Sequence, residues 1–300
     1  SYNKIIDYKN WIQSYEFFFK PLKSHDVKIS IIMPVYNPPL GYFVEAIESV
    51  IAQCYSNWEL CIADDCSSDQ VVRNKILEYA NKDQRIKYVF RNKNGNISAA
   101  SNSALDLATG EYIALLDHDD VLSPYALNEV AKAIDETDAK IIYSDEDKIN
   151  EISERFEPHF KSKFNFELLL THNYISHLGV YCKDLLKRVG GFRLGYEGAQ
   201  DYDLLLRCLL HTSSEKVQHI PKILYHWRAI EGSTAQCASQ KSYTSEAGLK
   251  ALKDFIPRLD SNWSVEHGLL ENTYRVSRPV AGMPKVSIII PTKDQSCLLK

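Results

Sequence analysis

Tyr112-Ile113-Ala114-Leu115-Leu116-Asp117-His118-Asp119-Asp120 is the stretch on which the reading of this chain turns. Its apolar half predicts a short buried strand, and its polar half places three carboxylates where that strand ends. Carboxylates gathered so tightly raise one another's pKa unless something positive lies between them. A divalent cation with oxygen ligands is the simplest remedy, and magnesium in particular takes one or two carboxylates together with phosphate oxygens. The competing reading is a solvated acidic turn that caps a helix starting near Pro124, because short motifs are readily matched by chance.

Upstream, strands and helices alternate. Strands are expected at 29–33, 58–63, 86–90 and 112–116, and helices at 42–54, 69–81, 97–108 and 124–136, each from apolar runs or helical spacing. Thr109-Gly110 is expected to end the third helix with a left-handed glycine. This rhythm predicts an α/β fold with a parallel sheet covered on both faces. Such sheets bind ligands beyond the carboxyl ends of their strands. Here those ends carry Asn37, Asp64-Asp65 and Asp117 to Asp120. A further strand at 140–143 is expected to empty Ser144-Asp145-Glu146-Asp147 onto the same rim. A purely structural sheet has no need of so many acidic groups in one place.

The flanks are less regular. Tyr8, Trp11, Ile12 and Tyr15 fall at helical spacing, which predicts an amphipathic arm packed on the body. Beyond 150 the chain turns aromatic and loop-rich, with a turn at Gly190-Gly191, an acidic helix start at Gln200-Asp201-Tyr202-Asp203, a strand at 222–225 and a helix at 243–255. Val286-Ser287-Ile288-Ile289-Ile290-Pro291-Thr292-Lys293-Asp294 repeats the form of Ile29-Ser30-Ile31-Ile32-Met33-Pro34-Val35-Tyr36-Asn37, as the start of a second copy of a domain does. The expected division is therefore an arm (1–27), a main domain (28–260), a linker (261–285) and a second domain beginning at 286, in a longer chain. Composition is that of an ordinary globular protein, 45% apolar and 25% charged over 300 residues. A net charge of −4 points away from nucleic acid. Seven cysteines without a C-x-x-C pair suggest neither a zinc knuckle nor a disulfide framework, and so a reducing, cytoplasmic compartment. The chain opens polar, and no run approaches the ~20 apolar residues of a membrane span. Membrane association is expected to be peripheral at most, at the inner face of the plasma membrane.

In order, Pro34-Val35-Tyr36-Asn37, Asp64-Asp65-Cys66-Ser67, Asp117-His118-Asp119-Asp120 and Gln200-Asp201-Tyr202-Asp203-Leu204 resemble the motifs of a GT-A-fold glycosyltransferase of family 2. The resemblance covers about residues 28–235. The closing Ile220-Pro221-Lys222-Ile223-Leu224-Tyr225-His226-Trp227-Arg228 is similar to bacterial members that build O-antigen or cell-wall glycans, some with two such domains in tandem. The resemblance implies a mostly parallel, Rossmann-like sheet with a loop-rich acceptor side. It implies an inverting transfer from a nucleotide-diphosphate sugar, a UDP- or dTDP-sugar, to a glycan hydroxyl, the acceptor lipid-linked in some members. Pro34, Tyr36, Asn37, Asp64 and Asp65 would line the nucleotide, with one aspartate of the pair accepting from a uracil-type base, since an ionised carboxylate is an acceptor only. Asp117 would lie near the ribose beside His118, and Asp119 and His226 would hold Mn2+ or Mg2+. Asp201 would be the general base, with Gln200 on sugar hydroxyls, where relatives usually carry an acidic pair. Arg228 and the loop Gly232-Ser233-Thr234 would reach the diphosphate.

Other readings of a parallel sheet fare worse. A nicotinamide dehydrogenase needs G-x-G-x-x-G after the first strand and a P-loop enzyme needs G-x-x-x-x-G-K; neither is present. A phosphohydrolase with Asp117 as nucleophile leaves Asp64-Asp65 and Asp201 unexplained. A glycan- or nucleotide-binding scaffold that keeps the fold without turnover is the remaining alternative.

Overall fold

The computed structural model describes residues 2–16, 26–229, 238–291 and 293. The Phe17-Phe18-Phe19 patch and the Gly232-Ser233-Thr234 loop lie outside them, as do Cys237 and Cys297. In the first half, β1 (Ile29–Val35), β2 (Trp58–Asp64), β3 (Ile86–Phe90) and β4 (Tyr112–Leu115) alternate with α2 (Leu40–Ile51), α3 (Gln70–Lys82) and α4 (Asn96–Leu107). The arm helix α1 (Tyr2–Tyr15) precedes them. The four strands pair in parallel in the order β3-β2-β1-β4, with Ile29 opposite both Trp58 and Tyr112.

Successive residues of a strand face opposite sides, and here each side has its own core. Ile31, Met33, Leu60 and Ile62 pack with Phe43, Ile47, Val72 and Ile76 of α2 and α3. Ile32, Cys61, Ala63 and Ile113 pack on the other face with Ala100 and Ala104 of α4. Burial on both faces explains why these strands read as unbroken apolar runs.

The sheet continues with a change of direction. β8 (Val180–Cys182) pairs antiparallel to β4 and to β6 (Ile141–Ile149), and β9 (Val217–Arg228) runs parallel to β6. β5 (Val121–Leu122) closes the far edge, and β7 (Arg155–His159) pairs with β6. A nine-stranded mixed sheet results. Helices α5 (Ala126–Thr137), α6 (Phe166–Leu169), α7 (Lys183–Val189), α8 (Gln200–Leu209) and α9 (Ala238–Leu259) surround it, and a hairpin of β10 (Ser264–His267) and β11 (Tyr274–Ser277) leans on α9.

Two local expectations are corrected. Ser144 to Asp147 do not follow the end of a strand: β6 continues through them with an irregular register around Asp145, all four are buried, and of the four Glu146 alone lines the cavity at the rim. Gly110 does not take a left-handed conformation. A Cβ there would lie 2.6 Å from the Lys28 carbonyl oxygen and 2.7 Å from Ser30 Oγ, so glycine permits a close approach to β1. Val286, Ile288, Ile289 and Ile290 join no strand and stand exposed. Among the described residues no helix is long and apolar enough to cross a membrane.

Candidate active site

A cavity of about 630 Å³ opens beyond the carboxyl ends of β1 and β4. Pro34, Leu115, Leu116 and Asp117 form its floor, α4 contributes Ile97 and Ser101, and the start of α8 contributes Gln200 and Asp201. His177, Glu146, Tyr225 and Trp227 close one side. Four of the residues expected at the site from sequence therefore line one cavity: Pro34, Asp117, Gln200 and Asp201.

The acidic turn is held from behind. Tyr225 donates its hydroxyl to Asp120 Oδ2 at 2.5 Å, and the Arg228 amide donates to Asp120 Oδ1 at 2.7 Å. Burial and the neighbouring Asp119 and Asp117 push the Asp120 carboxyl well above its ordinary range. Asp117 is pushed up as well, first by burial; the imidazoles of His177 and His118 offset this in part, while Asp119 and Asp201 add to it. Asp119 makes no side-chain hydrogen bond or ion pair with any described residue. Ligand atoms of Asp117, Asp120 and His177 lie within 4.8 Å of one another. Two crowded carboxylates and an imidazole, short of positive charge, make a donor set suited to a divalent cation of the manganese type.

His177 carries no signal in the sequence: it is a lone histidine in a loop. Its ring stacks on Tyr225 with centroids 4.4 Å apart. Its backbone is clamped by Glu146 Oε2, which accepts the His177 amide, and by the wholly buried Lys161, whose Nζ donates to the carbonyls of Ile175 and His177 and to Glu146.

His226 and Arg228 are placed otherwise than expected. Residues 225 and 227 of β9 turn toward the cavity, so His226 turns away. Its Nδ1 lies 2.5 Å from Asp147 Oδ1. Asp147 also accepts from the Tyr8 hydroxyl of α1 and from Arg155. Burial alone would raise the Asp147 carboxyl; His226 and Arg155 outweigh it and hold it below its ordinary range. His226 is thus bound to a buried carboxylate that docks the arm. Arg228 is buried, and its guanidinium donates to the Asp119 carbonyl, Asn150 O, Ser153 Oγ and Glu45 Oε2. With each nitrogen engaged it braces the acidic turn and has no free face for a diphosphate.

The other expected residues sit at the rim but outside the cavity lining. Asp64 accepts from the Ser67 amide and from Arg73 at the start of α3. Asp65 accepts from Arg91 and from the Gly95 amide, and so shapes the turn that launches α4. Asn37 Oδ1 accepts from the Ser68 amide, His118 Nδ1 lies 3.3 Å from the Pro34 carbonyl, and Tyr36 is half exposed. Asp201, at the positive N-terminal end of α8, accepts one hydrogen bond at 2.7 Å from Asn173 Nδ2. Asp203 differs: it is buried against Arg193 and Arg207 and serves the fold.

Comparison with known proteins agrees with this architecture. The model of the family described as glycosyl transferase family 2 matches residues 30–190. An uncharacterized protein of Sinorhizobium fredii is 51% identical over 274 residues, and the O-antigen biosynthesis protein RfbC of Myxococcus xanthus is 34% identical over 273. Each alignment takes in 91% of this chain, which spans only 30% and 21% of those relatives' lengths. Among solved structures, S. aureus TarS in complex with UDP-GlcNAc superposes with a TM-score of 0.60 at 22% identity, over 78% of this chain and 73% of that one. A Pyrobaculum calidifontis mannosyltransferase in complex with GDP-Man and Mn2+ gives 0.55 at 17%, over 86% and 72%. These likenesses confirm the GT-A-type fold, and with the family model covering just over half of its length the chain belongs to glycosyl transferase family 2.

Proposed function

We propose that this chain is a metal-dependent, inverting glycosyltransferase that moves a sugar from a nucleotide diphosphate to a hydroxyl of a growing bacterial surface glycan. One observation carries the metal dependence. Among the described residues the cavity is lined by Asp117, Glu146, Asp201 and Glu271 and by no lysine or arginine. Among the described lining residues a diphosphate meets four carboxylates and no lysine or arginine to offset them. Two like charges ~4 Å apart at an effective dielectric of ~20 repel by about 4 kcal/mol, enough to abolish useful affinity. Arg73 and Arg91, at the rim, are already paired with Asp64 and Asp65.

Asp117, Asp120 and His177 would hold the cation, with the free carboxylate of Asp119 beside them. When bound it supplies charge neutralisation of the leaving diphosphate. This chain's own chemistry falls to Asp201, whose carboxylate takes the proton of the attacking hydroxyl while Asn173 fixes its orientation. A single displacement needs one base, which supports inversion. The O-antigen role printed for the Myxococcus xanthus relative supports a surface glycan as acceptor. The five cysteines among the described residues are free, which fits a reducing cytoplasm, and the repeat of the β1 pattern at Val286 supports a second domain of the same kind. Calorimetric titration with UDP and GDP, with and without Mn2+, followed by transfer assays of wild type and Asp201→Asn, tests the proposal. Binding of nucleotide with no transfer to any glycan would favour the scaffold reading.

A further inference from the structure

Beyond the family match at 30–190 the cavity is completed by α8 and β9 and, farther along the chain, by the start of α9 and the β10–β11 hairpin. Tyr243 reaches it from α9, and Glu271 and Asn272 from the hairpin's turn. This turn is fastened to the body. The Tyr274 amide donates to the Thr171 carbonyl at 2.7 Å, its hydroxyl reaches the Ser245 carbonyl, and Thr244 Oγ1 donates to Asn272 Oδ1 at 2.9 Å. A Cβ on Gly198 would lie 2.6 Å from Tyr243 Cε1, so glycine lets the tyrosine ring settle beside the start of α8.

Several polar groups on this wall lack a partner among the described residues. There the Glu271 carboxylate makes no hydrogen bond or ion pair, the Asn272 side chain uses only its oxygen, and the Gln200 side chain uses only Oε1, on the Gly198 amide. Asp201 stands between this wall and the acidic turn: its charge acts on Asp117 on one side and on Tyr274 on the other.

Resting on the transferase reading, we propose that Gln200, Tyr243, Glu271 and Asn272 form the acceptor subsite, and that it takes an uncharged, hydroxyl-rich sugar unit. Such a sugar offers hydroxyl donors to Glu271, hydroxyl acceptors to the two amides and an apolar face to the tyrosine ring. A pocket of this kind combines an aromatic wall with a few placed polar groups. A uronic acid or a phosphate-bearing acceptor would bring further negative charge to a wall that has no described cation to meet it.

The test uses the full chain with Mn2+ and UDP, and saturation-transfer NMR with 4-nitrophenyl β-glucoside, N-acetylglucosaminide and glucuronide. The two neutral glycosides should receive saturation and the glucuronide should not. Glu271→Ala combined with Asn272→Ala should weaken the neutral glycosides about tenfold, with UDP affinity by calorimetry unchanged. Equal binding of the glucuronide, no response from either neutral glycoside, or full binding by the double variant would overturn the assignment. The same titrations without nucleotide separate the two claims, because glycoside binding by a protein that binds no UDP would sink the donor reading and leave the wall standing.

Discussion

His177 and His226 sit on opposite faces of the same sheet and answer to different partners. His177 lies with Asp117 and Asp120, whereas His226 is spoken for by Asp147. His177→Ala should therefore weaken Mn2+ binding at least about tenfold, and His226→Gln should leave it unchanged, both by electron paramagnetic resonance titration. The reverse ranking would restore the expectation drawn from sequence. That expectation failed for a physical reason: a histidine next to Trp227 and Arg228 in a strand says nothing about which face it takes, and a one-residue change of phase decides it. Asp201→Asn should lower turnover about 10²–10⁴-fold with UDP affinity preserved. A second carboxylate, Glu59, has no part in the chemistry. It lies at the opposite end of β2, where burial alone would raise its pKa; Lys28, Lys87, Ser30 and the Thr109 amide outweigh burial and hold it well below the ordinary range. A carboxyl with a depressed folded pKa contributes stability above its unfolded value, near 4, and loses it as the pH falls further. Glu59→Gln should cost about 2 kcal/mol at pH 7, and the difference from wild type should shrink in urea melts near pH 3. A constant difference across that range would deny the ion-pair origin.

Helices α2 to α5 and strands β1 to β4 were legible because each carries its own period and its own boundaries. β6 was half legible. Its apolar start at Ile141 and Ile142 marks a strand, but Ser144 to Asp147 read as a rim because carboxylates are seldom buried without partners. The partners come from far along the chain: His219 for Asp145, Lys161 for Glu146, Arg155 and His226 for Asp147. No local pattern reports such pairs. Lys161 is the clearest case, a buried cation whose pKa burial pushes down even beside Glu146, and whose ammonium clamps the loop that presents His177. Lys161→Met should loosen that loop and reduce Mn2+ affinity about 10–100-fold, while Lys161→Arg should recover part of it. Unchanged Mn2+ affinity in the methionine variant would show that Tyr225 and Glu146 position His177 without Lys161.

Taken as a molecule, the chain sets a parallel half-sheet, a reversal at β8 and a second parallel pair side by side, and the reversal carries His177 to the acidic turn. The strand-end location of the site was readable from the alternating pattern. Its walls were not, because α9 and the hairpin carry no motif and the cavity exists only once they fold over α8. What unites the site is its charge, with carboxylates on its floor and walls and the nearby guanidinium groups turned to structural duty. The most direct measurement is calorimetric titration of UDP into the full chain in Mn2+ and again after chelation. Affinity should fall at least about tenfold on chelation, a loss of about 1.4 kcal/mol or more. Equal affinity in both titrations would contradict the account.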